Sequence, residues 1–205
     1  INLAGESVAG KRWTNQQKEK ITNSRTTSAN FLFSLKDKLS SLEQYITASG
    51  INAYGFEQGQ SLTESSPYGK DFLAEVVQKW ETSADQFKAI CTVCKLRIGV
   101  VFSRFGGALK QMSLPIRIGL GSPLGNGKQN IPWIDSKDLC AIFAHAMNEK
   151  LHGVYNTIAG NCTNKELTVA IAEVLKKPLF LPNVPVFLLK FLLGEMSAII
   201  LEGVH

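Results

Sequence analysis

The sequence predicts an α/β protein: an open, doubly wound parallel sheet with helices on both faces, followed by a smaller C-terminal region. Strand-like and helix-like segments alternate before residue 105. Hydrophobic residues make up 44% and charged residues 19% of the chain, a balance that packs rather than stays disordered. Beyond Ser103 the texture changes to Gly- and Pro-rich loops. At about 150 residues per domain, 205 residues suit one sizeable core with an appendage. We divide the chain into a sheet-forming part over residues 1–104 and a remainder over residues 105–205 that completes the sheet.

Each element has its own signal. Ile1-Asn2-Leu3-Ala4-Gly5 reads as the end of a buried strand breaking into a glycine turn. Residues 14–39 carry helix formers at helical spacing, with Thr14 able to cap the first turn, so one or two helices fit there. Residues 45–49 form a short β-prone segment that runs into a loop over residues 50–59. Residues 71–87 have helical period, and residues 93–102 read as one compact buried strand. Gly-rich turns follow between residues 106 and 128, then helices over residues 138–148 and 164–175 with a strand over residues 154–158 between them. Residues 179–182 suit a last short strand, and residues 184–204 an apolar terminal helix. Ligands of such sheets sit beyond the carboxyl ends of the strands, which directs attention to the loops after Leu3, Thr47 and Val101.

Composition narrows the function classes. The net charge is +5, but Lys and Arg are spread along the chain with no basic cluster, which argues against nucleic acid and suits an anionic phosphorylated ligand. Cys91 and Cys94 have CxxC spacing with no second pair to complete a zinc site, and His145, His152 and His205 have no metal-ligand spacing. No metal is expected. The apolar terminal stretch is interrupted by Lys190, Gly194, Glu195 and Glu202, so it reads as a packed helix rather than a membrane span. With no secretion signal, the expected compartment is the reducing cytoplasm, where the Asn161-Cys162-Thr163 triplet is not a glycosylation acceptor.

Several motifs together resemble one family in order and spacing. They are Asn2-Leu3-Ala4-Gly5-Glu6, Lys11-Arg12-Trp13, Ser24-Arg25, Thr47-Ala48-Ser49 with Tyr54-Gly55, and Asp71-Phe72-Leu73-Ala74-Glu75-Val76 with Trp80-Glu81. Later pieces are Gly106-Gly107-Ala108-Leu109, Leu120-Gly121-Ser122-Pro123-Leu124-Gly125, Trp133-Ile134-Asp135 and Leu193-Gly194-Glu195-Met196. The chain resembles the atypical extended short-chain dehydrogenases described as epimerase family proteins, which implies a Rossmann-like fold and binding of NADP or NAD. Members of that family begin with a glycine-rich phosphate turn not found in this sequence, so the resemblance reads the chain as part of a longer protein.

The resemblance also assigns residues. Asn2, Leu3, Ala4 and Gly5 would lie along the cofactor, a tight turn at a strand end being the alternative, and Thr47, Arg97, Gly99 and Val100 would lie beside it, with anchoring of neighbouring loops the alternative for Arg97. Thr47 and Ser49 match the position where a hydroxyl holds the substrate near the nicotinamide; a plain loop role is the alternative. The superfamily's proton-transferring Tyr and Lys are replaced by Phe72 and Val76, neither of which titrates. Tyr54 is the substitute acid, or else a packing residue. Gly125, Asn126, Lys128 and Gln129 form a polar loop suited to a substrate phosphate, or a solvated turn. Asp138 reads as a helix cap or first-turn acid. The expected partner is a small molecule such as a nucleotide-sugar, and a homodimer is one arrangement such a chain could take. Two functions follow: a nucleotide-sugar epimerase or reductase, or a non-catalytic dinucleotide sensor.

Overall fold

The computed structural model describes residues 1–56 and 62–203; His205 and part of the loop read over residues 50–59 lie outside them. Thr14 begins the first helix, α1 (Asn15–Ser34), accepting a hydrogen bond from the Gln17 amide as its sequence position predicts. Strand β1 (Gln44–Gly50) is followed by a 3-10 turn (Ile51–Tyr54), and α2 (Phe72–Asp85) is capped by Asp71 through the amides of Leu73 and Ala74. Strand β2 (Thr92–Ile98) runs parallel to β1. Asn2 lies parallel against Thr47 at the far edge, its N–H donating to Ile46 and its carbonyl accepting from Ala48.

The predicted strand over residues 93–102 is two strands. It breaks at Gly99, and β3 (Val100–Ser103) leaves for a second sheet. The break requires glycine, because a Cβ at Gly99 would stand 2.7 Å from the Pro132 carbonyl oxygen. Two elements also form where the sequence reads as loop. One is α3 (Ala108–Arg117), which follows the two-residue β4 (Gly106–Gly107) and carries Pro115 within it; the other is β5 (Asn130–Asp135). Proline and flanking glycines mask α3 in the sequence, because Pro115 takes a backbone donor out of the helix.

Next, α4 (Ser136–Asn148) is capped by Asp135, with Asp138 an acid in its first turn. Strand β6 (Gly153–Thr157) returns to the first sheet, whose order is β1-β2-β6, all parallel. The second sheet is β4-β3-β5-β7, closed by β7 (Gly160–Thr163). A capping box between Thr163 and Glu166 opens α5 (Asn164–Leu175). Residues 179–182 form no strand, and the terminal helix is broken at Gly194 (φ 60°) into α6 (Val186–Leu193) and α7 (Ala198–Leu201) with a 3-10 turn between. No helix of the described residues is long and apolar enough to cross a membrane.

Strand alternation sorts the two faces of the first sheet. Ile46, Ala48, Cys94 and Leu96 pack with Phe143 and Ala146 of α4. On the other face Tyr45 and Val93 pack with Ala84 and Phe87, Tyr45 stacking on Phe87 at 3.8 Å. Toward the carboxyl ends that second face changes from apolar to charged, and the site begins there.

Candidate active site

The carboxyl ends of the Asn2 segment, β1, β2 and β6 stand side by side. The Asn2 side chain is turned inward, donating to the Tyr45 hydroxyl at 2.6 Å and accepting from the Ala4 amide at 3.1 Å. That leaves Leu3, Ala4 and Gly5 exposed at the sheet edge. Behind Gly5 lies the Arg25 guanidinium, 3.1 Å from where a Cβ would be. Thr47 is wholly buried and its hydroxyl lies 2.9 Å from the Ala48 carbonyl.

Ser49 and Arg97 are cross-strand neighbours in register, and α2 covers them with Glu81. The carboxylate is 1% exposed and takes four donors: Ser49 Oγ at 2.6 Å, Arg97 Nε at 2.8 Å, Arg97 Nη2 at 3.0 Å and Tyr68 OH at 2.7 Å. Lys95, two residues before Arg97 on the same face, pairs with Asp85 at 3.0 Å and reaches Glu81 at 3.6 Å. Burial alone would raise the Glu81 pKa, but the bonds from Arg97, Ser49 and Tyr68 outweigh it and hold the carboxyl below its ordinary value. Tyr68 moves the other way, pushed up to about 12 by burial and by its bond to Glu81. Arg97 also donates to the Tyr54 hydroxyl at 3.0 Å, and its guanidinium lies over the rings of Tyr54 and Tyr68. Tyr54 is 1% exposed and donates to Asn156 Oδ1 at 2.5 Å.

A cleft of about 520 Å³ opens beside this network, walled by Tyr54, Tyr68, Lys70, Asp71 and Glu202. Its floor depends on Gly69, where a Cβ would meet the Gly55 backbone at 2.6 Å. A second hollow of about 450 Å³ shares Phe56, Asp71 and Glu202 with the cleft and reaches Trp13 and Phe72.

The profile of the NAD dependent epimerase/dehydratase family matches residues 1–158. The chain belongs to that family. Over 210 residues it is 34% identical to the epimerase family protein SDR39U1 of Mus musculus, covering 99% of this chain and 71% of the mouse protein. The crystal structure of human epimerase family protein SDR39U1 (isoform 2) with NADPH superposes with a TM-score of 0.87 and 31% identity, over 98% of this chain and 70% of that one. A nucleoside-diphosphate sugar epimerase from Corynebacterium glutamicum superposes at 0.70 with 28% identity, over 94% of this chain and 45% of that one. The parallel sheet with helices on both faces is thus Rossmann-like, as its sequence pattern predicts.

Within this epimerase-family fold, the predicted residues fall into three groups. Ser49, Tyr54 and Arg97 meet in one network through Glu81. Asn2, Leu3, Ala4, Gly5 and Thr47 form the sheet edge beside it, while Gly99 and Val100 lie where the chain crosses to the second sheet. Gly125, Asn126, Lys128 and Gln129 lie elsewhere. Gly125 donates its N–H to Val184, Asn126 accepts from the Lys128 amide, and the buried Gln129 side chain ties Leu124 to Ile200. Among the described residues, none of that loop's hydrogen bonds reaches Ser49, Tyr54 or Arg97.

Phe72 packs edge-on against Trp13 with ring centroids 4.9 Å apart and borders the second hollow. Val76 is buried among Trp13, Ile21, Leu73 and Met196. No group of three or more His, Cys, Asp or Glu among the described residues could hold a metal. The sequence reading missed Glu81, Lys95, Asp85 and Tyr68. A signal was present: Lys95 and Arg97 two apart on a strand, and Glu81 and Asp85 four apart on a helix, each put two charges on one face.

Proposed function

We propose that this chain forms the nicotinamide-facing and substrate-facing part of an NAD(P)-dependent epimerase or reductase. Its substrate would be a small molecule of the nucleotide-sugar kind, handled in the cytoplasm by a homodimer. The observation that carries the reading is the exposed Leu3-Ala4-Gly5 strand end beside the Ser49 strand end, within a chain that belongs to the NAD dependent epimerase/dehydratase family. The edge fits a dinucleotide: Ala4 and Gly5 are small and exposed, and Asn2 folds its own amide inward. A bound nicotinamide would supply hydride chemistry. Leu3, Ala4 and Gly5 would hold it, with Thr47, Arg97, Gly99 and Val100 behind them. Ser49 would orient the substrate through its remaining lone pairs, since its proton goes to Glu81. Tyr54 or water would handle the proton. Residues 105–205 would supply the substrate side, with the loop from Gly125 to Gln129 meeting a phosphate.

One observation favours a second reading. Phe72 and Val76, which the resemblance puts in place of the Tyr/Lys pair, pack in an apolar cluster, which suits a sensor that binds the dinucleotide without turnover. Titration of the full-length protein with NADH and NADPH, followed by nicotinamide absorbance with nucleotide-sugars and carbonyl compounds, separates the two. Binding with turnover supports the enzyme, and binding without turnover supports the sensor. No binding of either dinucleotide defeats both.

A further inference from the structure

We propose that the groove between α3 and α5 is a binding site for a medium-chain carboxylic acid, the acyl chain lying on its apolar floor and the carboxylate meeting the cations of its rim. The groove measures about 570 Å³, within the range of small-molecule sites, and shares no wall residue with the cleft or the second hollow described above. Its floor is hydrocarbon: Leu109 from α3, and Leu167, Ile171 and Leu175 from α5. At its mouth Phe105 and Val174 stay 80% and 82% exposed, so the fold leaves apolar surface there for a ligand to cover. The run from Leu109 to Arg117 is about 12 Å along the helix axis, room for an acyl chain of medium length laid beside α3.

The rim carries one sign of charge. Arg104 and Lys110 stand where the turn after β3 passes into α3, and Arg117 follows about two helical turns beyond Lys110. The described wall residues include no carboxylate, and Glu166 and Glu173 of α5 border a different hollow. Among the described residues, no ion pair takes in Arg104, Lys110 or Arg117; the Arg104 guanidinium lies 4.6 Å from the centre of the Phe105 ring instead. Three such cations around a hydrocarbon trough complement an anion that carries a hydrocarbon tail. A sugar phosphate would satisfy the cations but set its hydroxyls against the leucine floor, where they find no partner. A neutral chain would use the floor and leave the cations idle.

The test uses decanoate and decanol, alike in chain and different in charge, titrated as monomers into the full-length protein at neutral pH and read by calorimetry. Decanoate is expected to bind about tenfold more tightly, the sum of a few rim pairs of modest worth. Val174→Glu puts a carboxylate at the mouth of the groove, at a position exposed enough to leave the fold intact, and should weaken decanoate about tenfold and decanol by less. Arg104→Gln combined with Lys110→Gln should reduce the preference for decanoate to about threefold or less. Equal affinities in the wild type, or decanoate binding that Val174→Glu leaves unchanged, overturn the proposal. So does the absence of binding to the full-length protein, as when another segment of its chain fills the groove. A dimer that Val174→Glu dissociates in sedimentation, or binding seen only with phosphatidylglycerol vesicles, also overturns it, because the occupant is then a second copy or a membrane surface.

Discussion

Replacing Arg97 with methionine isolates the energetic centre of the site. The substitution keeps a long apolar stem beside the rings of Tyr54 and Tyr68 but removes both guanidinium bonds to Glu81. Glu81 is 1% exposed, so an almost wholly buried carboxylate loses the nearer of its two cations. Breaking one partner of such a pair costs about 3–5 kcal/mol. Ser49, Tyr68 and Lys95 stay near the carboxylate, which places the expected loss at the lower end, about 3 kcal/mol.

For a chain of this size, that corresponds to a fall in Tm of roughly 6–12 °C. Urea unfolding at pH 7 measures the loss directly. The pH dependence gives a second reading. In the wild type the depressed Glu81 pKa contributes stability that is present above the unfolded carboxyl value and lost as pH falls through the folded one. In Arg97→Met the folded carboxyl titrates higher, so the gap between variant and wild type narrows on acidification. Replacing Glu81 by leucine in the same protein should recover at least half of the loss, because no buried charge is then left alone. A loss below about 1 kcal/mol, or one equally large at acid pH, would refute the assignment of Glu81 as a buried charge held by Arg97.

Two further outcomes are expected. Gly99→Ala forces a Cβ to within 2.7 Å of the Pro132 carbonyl oxygen and 2.9 Å of the Ile158 side chain, and the Pro132 backbone cannot yield without separating the two sheets; denaturant unfolding should show a loss of about 1–3 kcal/mol. Tyr68 should ionise near pH 12 in an absorbance titration at alkaline pH, a step missing from Tyr68→Phe. Because that pKa is raised above the unfolded value, its stabilisation is complete below the unfolded value and is lost as pH climbs through the folded one; wild type should lose more stability there than Tyr68→Phe, which keeps the raised Tyr45 and Cys94 groups.

Sequence by itself determined the class of this protein. Alternating strand and helix periods specified a parallel α/β sheet, Thr14 and the Thr163-x-x-Glu166 box marked helix starts, and the ordered motifs from Asn2 to Met196 specified the family. These are local signals, carried by side chains a few residues apart. Tertiary structure alone decided the rest. Position 99, between the two strands, has to be glycine because the Pro132 carbonyl lies against it, a contact across 33 positions that no window of the chain contains. The charged pattern of Lys95, Arg97, Glu81 and Asp85 was legible, but its meaning was not. A cation on a strand reads the same whether it faces water or a carboxylate, and only the docking of α2 onto β2 removes the water and makes the pair. For the same reason Tyr54 was legible as a candidate and Tyr68 was not: what each hydroxyl does depends on the acceptor that the fold brings to it, Asn156 for one and Glu81 for the other.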